Sequence, residues 1–100
     1  MSYELKFLPS AQKEWRKLGD TIRVQFKKKL AERLENPVVP ADRLSGFENH
    51  YMIKLRSSGY RLVYEVGELE VTVHVIAVGK RERSEVYRKA EERSKKPKPD

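Results

Sequence analysis

The sequence predicts an α+β domain: an N-terminal strand, an α-helical hairpin, a three-stranded antiparallel meander that completes a four-stranded sheet, and a C-terminal helix. Three observations carry this. Apolar residues recur about every four positions from Ala11 to Leu34, as amphipathic helices require. From Tyr51 to Val66 they alternate with period two, as half-buried strands require. Val71 to Val78 is then a run rich in β-branched side chains, which suits a central strand buried on both faces.

Tyr3, Leu5 and Phe7 alternate with Glu4 and Lys6, so 3–8 reads as a strand that Pro9-Ser10 ends. Ser10 offers an N-cap to a helix with Ala11, Trp15 and Leu18 on one face, and Gly19 supplies a C-terminal stop. Asp20 or Thr21 caps a second helix whose buried stripe is Ile22, Phe26, Leu30 and Leu34. Arg23, Lys27, Lys28, Lys29 and Arg33 cover much of the rest, and Asn36-Pro37 stops it. The short link at Gly19 makes the pair an antiparallel hairpin. Residues 37–46, with Pro37, Pro40 and Gly46, form a loop.

Tyr51, Ile53 and Leu55 alternate with Met52, Lys54 and Arg56, and Ser57-Ser58-Gly59 turns the chain. Leu62, Tyr64 and Val66 alternate with Arg61, Val63 and Glu65 before a second turn at Gly67-Glu68. Gly79 ends the third strand. Residues 82–93 favour helix on a thin apolar stripe of Val86, Ala90 and Tyr87, so this helix docks weakly. Residues 1–93 therefore read as a single domain, and 94–100, charged and proline-rich, as a disordered tail.

A chain of 100 residues, 38% hydrophobic and 37% charged, holds one modest core. It leaves little room for a large organic cofactor, so chemistry is expected on a shallow groove. The absence of cysteine excludes disulfides, thiolate metal sites and cysteine nucleophiles. Neither a basic-then-apolar leader nor a membrane-spanning run is visible, so the expectation is a cytoplasmic protein with no signal peptide and no membrane partner. A net charge of +7 points to a polyanion: nucleic acid, an acidic protein or a membrane surface.

If the apolar residues of the meander face the helices, Lys54, Arg56 and Arg61 face the other way. A four-residue turn over Ser57–Tyr60 would pair Arg56 with Arg61. Like charges opposed across strands are destabilising, so such a cluster points to a bound anion. Lys80-Arg81-Glu82-Arg83 adds a second basic cluster. Tyr87 offers either a plane on which an unpaired base stacks or a helix–sheet contact. Together these residues read as an RNA or phosphate surface; singly, each fits a solvated face with Glu65 and Glu82 as partners.

His50 and His74 form no evident acid–base dyad, and two histidines without cysteine make a weak metal site. No phosphate-binding loop, dinucleotide fingerprint or zinc-protease motif occurs. Any nuclease chemistry therefore falls to lysine, arginine and tyrosine, without metal or cofactor.

The runs Tyr51-Met52-Ile53-Lys54-Leu55-Arg56-Ser57-Ser58-Gly59-Tyr60-Arg61-Leu62-Val63-Tyr64 and Gly79-Lys80-Arg81-Glu82-Arg83-Ser84-Glu85-Val86-Tyr87 strongly resemble the RelE toxins of type II toxin–antitoxin pairs. Lys13-Glu14-Trp15-Arg16-Lys17-Leu18-Gly19 matches too, and the similarity extends to about Arg93. The resemblance implies a β-α-α-β-β-β-α fold and a ribosome-dependent mRNA endonuclease that cuts the A-site codon. Attack by the 2′-OH would leave a 2′,3′-cyclic phosphate and a 5′-OH. It places the catalytic positions on Lys54, Arg61, Arg81 and Tyr87. Lys54 and Arg61 would hold the phosphate, Arg81 would stand near the leaving oxygen and Tyr87 would stack on a base. Lys54 would act as base only if surrounding cations depress its pKa. The chain departs from the pattern at Met52, where a relative carries a second active-site lysine. Arg56, Lys80, Arg83, Lys27, Lys28 and Lys29 would contact RNA or the ribosome. The implied partners are the ribosome with its mRNA and a RelB-like antitoxin that displaces or blocks the C-terminal helix. Operator DNA would be met only through that antitoxin. The rival readings are a ParE-like gyrase inhibitor and a non-catalytic or decayed RNA-binding module.

Overall fold

The structure is a computed structural model that describes residues 2–80 and 85–95, without the side chains of Glu85, Tyr87, Ser94 and Lys95. The alternating N-terminus forms β1 (Glu4–Phe7), and the period-four segment forms α1 (Pro9–Arg16) and α2 (Asp20–Glu35). A short 3-10 turn (Pro40–Asp42) interrupts the expected loop. The meander is β2 (His50–Leu55), β3 (Tyr60–Gly67) and β4 (Thr72–Lys80), followed by α3 (Glu85–Lys95).

Several boundaries differ from expectation for identifiable reasons. The Ser10 cap is not used: α1 starts at Pro9, with Leu8 extended at the N-cap position. Proline suits this first position because its φ is preset and it has no N–H to satisfy. Gly19 is not a left-handed stop. Its φ of −67° and ψ of 157° are extended, and it caps α2 in place of Asp20 or Thr21. The end of α1 is closed instead by Lys17 N–H to the carbonyls of Lys13 and Glu14 and by Leu18 N–H to Trp15 O. β4 begins after Val71, which takes φ 54°, and continues through Gly79 to Lys80. A Cβ at Gly79 would meet Val86 Cγ2 at 2.9 Å, so this glycine lets α3 approach the strand closely. α3 itself reaches Lys95, two residues beyond the expected end of the helix; the expected tail from residue 96 onward lies outside the described residues.

The sheet order is β1-β4-β3-β2. β1 runs parallel to β4, and the other neighbours are antiparallel. The helical hairpin and β2–β3 together provide the long connection that a parallel pair needs. On one face Ala11, Phe26 and Leu30 of the helices pack on Tyr51, Ile53, Leu62, Tyr64, Val73 and Val75. On the other, Val86 and Ala90 of α3 pack with Leu44 on Met52, Val63, Ile76 and Ala77. A bulge lets the faces coexist: Val63 pairs with Ala77 but Tyr64 with Val75, so Ile76 is the extra residue. After it the alternation changes phase, and Val78 returns to the hairpin side.

A polar clamp fixes α2 to the sheet. The Tyr64 hydroxyl donates to Pro37 O at 2.8 Å and accepts from Arg33 Nη1 at 3.0 Å, and Arg33 also pairs with Asp42. Burial pushes the Tyr64 phenol up, with Arg33 opposing. Burial works against the charged Arg33, but its bonds to Tyr64 and Asp42 prevail and raise its pKa. Arg33 is thus half-buried and structural rather than part of the solvated basic face. Tyr64→Phe removes both bonds while keeping the ring. It is expected to destabilise the fold by about 1–3 kcal/mol, measured by urea unfolding.

Candidate active site

The β2–β3 turn decides which cations meet. Leu55 pairs with Tyr60, so the loop is Arg56-Ser57-Ser58-Gly59, one residue earlier than expected. Gly59 takes φ 77°, and its N–H bonds Leu55 O at 2.8 Å. The Ser58 hydroxyl accepts from Tyr60 N–H at 3.4 Å. Arg56 therefore sits in the turn, and the residue opposite Arg61 is Lys54. The expected Arg56–Arg61 pair is replaced because the left-handed residue the turn requires is Gly59, which sets the loop at 56–59.

Lys54 and Arg61 lie on the α3 face, one row beyond the Met52–Val63 pair. The next β4 residue in their row is Gly79, which adds no side chain there. No carboxylate among the described residues forms an ion pair with either cation. Arg61 instead leans over Met52, with Nη1 at 3.9 Å from Sδ. Met52 is 3% exposed, so it forms an apolar floor beneath the guanidinium. Opposed like charges without a counter-charge are costly, and an anion relieves the cost.

Two grooves meet at Lys54. One, of about 380 Å³, is lined by Lys54, Arg56, Gly59, Tyr60 and Arg61. The other, of about 620 Å³, lies between α2 and the β2 edge and is lined by Gln25, Lys28, Lys29, Glu32, Lys54 and Arg56. Lys28 and Lys29 thus join the hairpin cations. Lys27 is exposed but lines neither groove. Lys80 is exposed in the outermost row, its ammonium 5.7 Å from the Tyr60 ring centre, a cation–π contact not anticipated from the sequence. Arg81 and Arg83 lie outside the described residues. Tyr87 falls in the first turn of α3, with its side chain outside the description.

The histidines are elsewhere. His50 is buried at the start of β2, with Nδ1 2.5 Å from Glu48 O and its ring against Phe47. It is four residues from Lys54, about 13 Å along a strand. His74 sits opposite Glu65 and Lys6, at the same remote end of the sheet. Glu65 is therefore no counter-ion for the Lys54–Arg61 row. Among the described residues no group of three or more histidine or acidic side chains is arranged to hold a metal. No helix among them is long and apolar enough to cross a membrane.

The model of the ParE toxin of the type II toxin–antitoxin system parDE matches residues 5–85. The mRNA interferase toxin RelE of Escherichia coli K12 is 60% identical over 93 residues, covering 93% of this chain and 98% of that protein. The chain belongs to the RelE/ParE toxin family. Among solved RelE structures, the free E. coli toxin carrying R81A and R83A superposes with a TM-score of 0.87. It is 58% identical, covering 93% of this chain and 98% of that one. RelE in the intact E. coli RelBE toxin–antitoxin complex superposes at 0.80, also 58% identical, covering 82% and 100%. The RelE-like order of strands and helices thus matches the expected fold.

Sequence patterning separates the hairpin cations from the core but does not reveal which helix lysines join them. Spacing along α2 could have flagged Lys28, Lys29, Gln25 and Glu32 as one strip, being three or four residues apart. Replacing Lys28 and Lys29 by alanine removes two cations from the larger groove. Single-stranded RNA binding is expected to weaken, with the log–log salt slope falling by roughly 1–2, measured by a salt titration.

Proposed function

We propose that this chain is the toxin of a type II toxin–antitoxin pair and acts as a ribosome-dependent mRNA interferase. The observation that carries the reading is the near full-length, 60% identity to an mRNA interferase. The paired Lys54 and Arg61 at the meeting of two cationic grooves support it. The names of the curated relatives favour this reading over gyrase inhibition.

In this mechanism the 2′-oxygen of a codon nucleotide attacks the adjacent phosphorus and the P–O5′ bond breaks. Arg61 and Lys54 hold the non-bridging oxygens and stabilise the added charge of the pentacovalent transition state. Arg81 stabilises the departing 5′-oxygen, and Tyr87 stacks on a codon base. Arg56, Lys80, Arg83, Lys28 and Lys29 contact RNA, with Lys27 further out on α2. Among the described residues the site has no histidine or carboxylate pair, so positioning must supply more of the rate. A codon held by the ribosome provides that positioning. The partners of this reading are the ribosome, its mRNA and a RelB-like antitoxin, with operator DNA reached through the antitoxin. Its compartment is the cytoplasm, where translation occurs.

Cleavage of mRNA on purified ribosomes with an open A site, mapped by primer extension, tests the reading. The expected result is a cut inside the A-site codon that needs the ribosome and falls roughly 100-fold or more in Arg61→Ala or Arg81→Ala. Intact RNA despite ribosome binding would leave a binding module or a decayed toxin. Inhibition of gyrase instead would reinstate the other branch of the family.

Met52 generates a second prediction. A lysine at that position would be buried and beside Arg61, and both effects lower a lysine pKa. It would therefore supply a general base that Met52 cannot. Met52→Lys is expected to raise the single-turnover rate near neutral pH by roughly 10-fold or more, with some loss of folding stability. An unchanged rate across the pH range would show that the reaction does not lack a base.

A further inference from the structure

β1 ends at Phe7, opposite Val75, but β4 continues five residues further to Lys80. Among the described residues, the outer edge of β4 beyond Val75 therefore has no strand beside it. Two side chains take the strand's place. Glu14 of α1 accepts a hydrogen bond from Val78 N–H through Oε1 at 3.1 Å. Arg93 of α3 donates from Nη1 to Ile76 O at 2.7 Å. The two are joined to each other: Arg93 Nη1 to Glu14 Oε1 at 3.0 Å and Nη2 to Oε2 at 3.1 Å. Lys89, one turn back on α3, adds Nζ to Oε2 at 2.8 Å. Burial alone would raise the Glu14 carboxyl, but bonds from Arg93, Lys89 and Val78 N–H outweigh it and hold the group below its ordinary value.

This junction ties both flanks of one segment. Val78 lies three residues before Arg81, and Lys89 lies two residues after Tyr87. The apolar docking of α3 is small, resting on Val86 and Ala90 among its described side chains. The bidentate, partly buried ion pair adds a directional, charge-assisted attachment of α3 to the sheet. We propose that Glu14 is a positioning residue for RNA cleavage: by binding Val78 on one side and Arg93 and Lys89 on the other, it fixes α3, which carries Tyr87, against the end of β4. Glu14 does not touch RNA. It acts through α3, and so it rests on the role proposed for Tyr87.

The test uses Glu14→Gln, which keeps size and one acceptor but loses the charge, and Arg93→Lys, which keeps the charge but loses the bidentate fork. Single-turnover cleavage on programmed ribosomes is measured over a range of toxin concentrations, together with hydrogen exchange of the free toxin. The maximal rate is expected to fall about 10- to 100-fold in each variant, with the half-saturating concentration within about 2-fold of wild type. Amide exchange is expected to accelerate at Val78 and across 85–93 but not in β2 and β3. An unchanged maximal rate in folded variants overturns the proposal, as does a loss matched by uniformly faster exchange through β2 and β3. If the wild type itself cuts no RNA, the interferase reading fails, and the exchange pattern alone decides whether Glu14 holds the segment. Acceleration confined to Val78 and 85–93 sustains that, and no acceleration there refutes it.

Discussion

β4 has no solvent face along its middle. Val73, Val75 and Val78 are buried under the helical hairpin, while Ile76 and Ala77 are buried under α3. Four elements are placed directly by this strand: β1 and β3 flank it, and α1 and α3 pack against opposite sides. A strand covered on both sides must be apolar at nearly every position, which is why its sequence shows no alternation. The bulge at Ile76 is the adjustment that allows it. One extra residue changes the phase, so the same strand can serve the hairpin core at both ends and α3 in between.

The cost of the cationic row follows from the same layering. β2 and β3 have apolar side chains for both cores as far as Met52 and Val63, and beyond that row the α3 core ends. Lys54 and Arg61 occupy the next positions on that face, where no helix covers them among the described residues. Arg61 rests on Met52 as a planar cation on a polarisable thioether. The patch is thus an extension of the core surface with the apolar groups exchanged for charge. Its geometry comes from the rigid sheet rather than from a loop, as a site that works by positioning requires.

α3 is held differently from the hairpin. The hairpin is anchored by large side chains, including Phe26 and Leu30, and by the buried Tyr64–Arg33 clamp. Among its described side chains, α3 is anchored by Val86 and Ala90 and by an ion-pair junction at its far end. Elements with little buried apolar area open at lower free energy than core strands. The RelBE complex, to which this chain's fold is similar, shows a related toxin engaged by its antitoxin.

The sequence by itself determined the fold class. Hydrophobic period is a local property, so the stripe Ile22–Phe26–Leu30–Leu34 and the alternation through Tyr51–Leu55 and Leu62–Val66 can be read without knowing their partners. It also put Lys54 and Arg61 on the face turned away from the hairpin, because the face of a strand residue follows from parity alone. Tertiary structure decided what parity cannot. The turn at Gly59 set the register that opposes Lys54 to Arg61 and sends Arg56 into the loop. The packing of α2 beside the β2 edge selected Lys28 and Lys29 over Lys27. Gly79 reads in sequence as a strand end but in three dimensions as a point where α3 comes close to the strand. Glu14 enters the sequence reading only as part of the Lys13–Gly19 resemblance. Only the place where β1 stops, leaving Val78 N–H and Ile76 O without a neighbouring strand, gives that carboxylate and Arg93 their task, and they meet across 79 residues of chain. Period and parity are written residue by residue, whereas register, edge termination and long-range pairing exist only once the elements have packed.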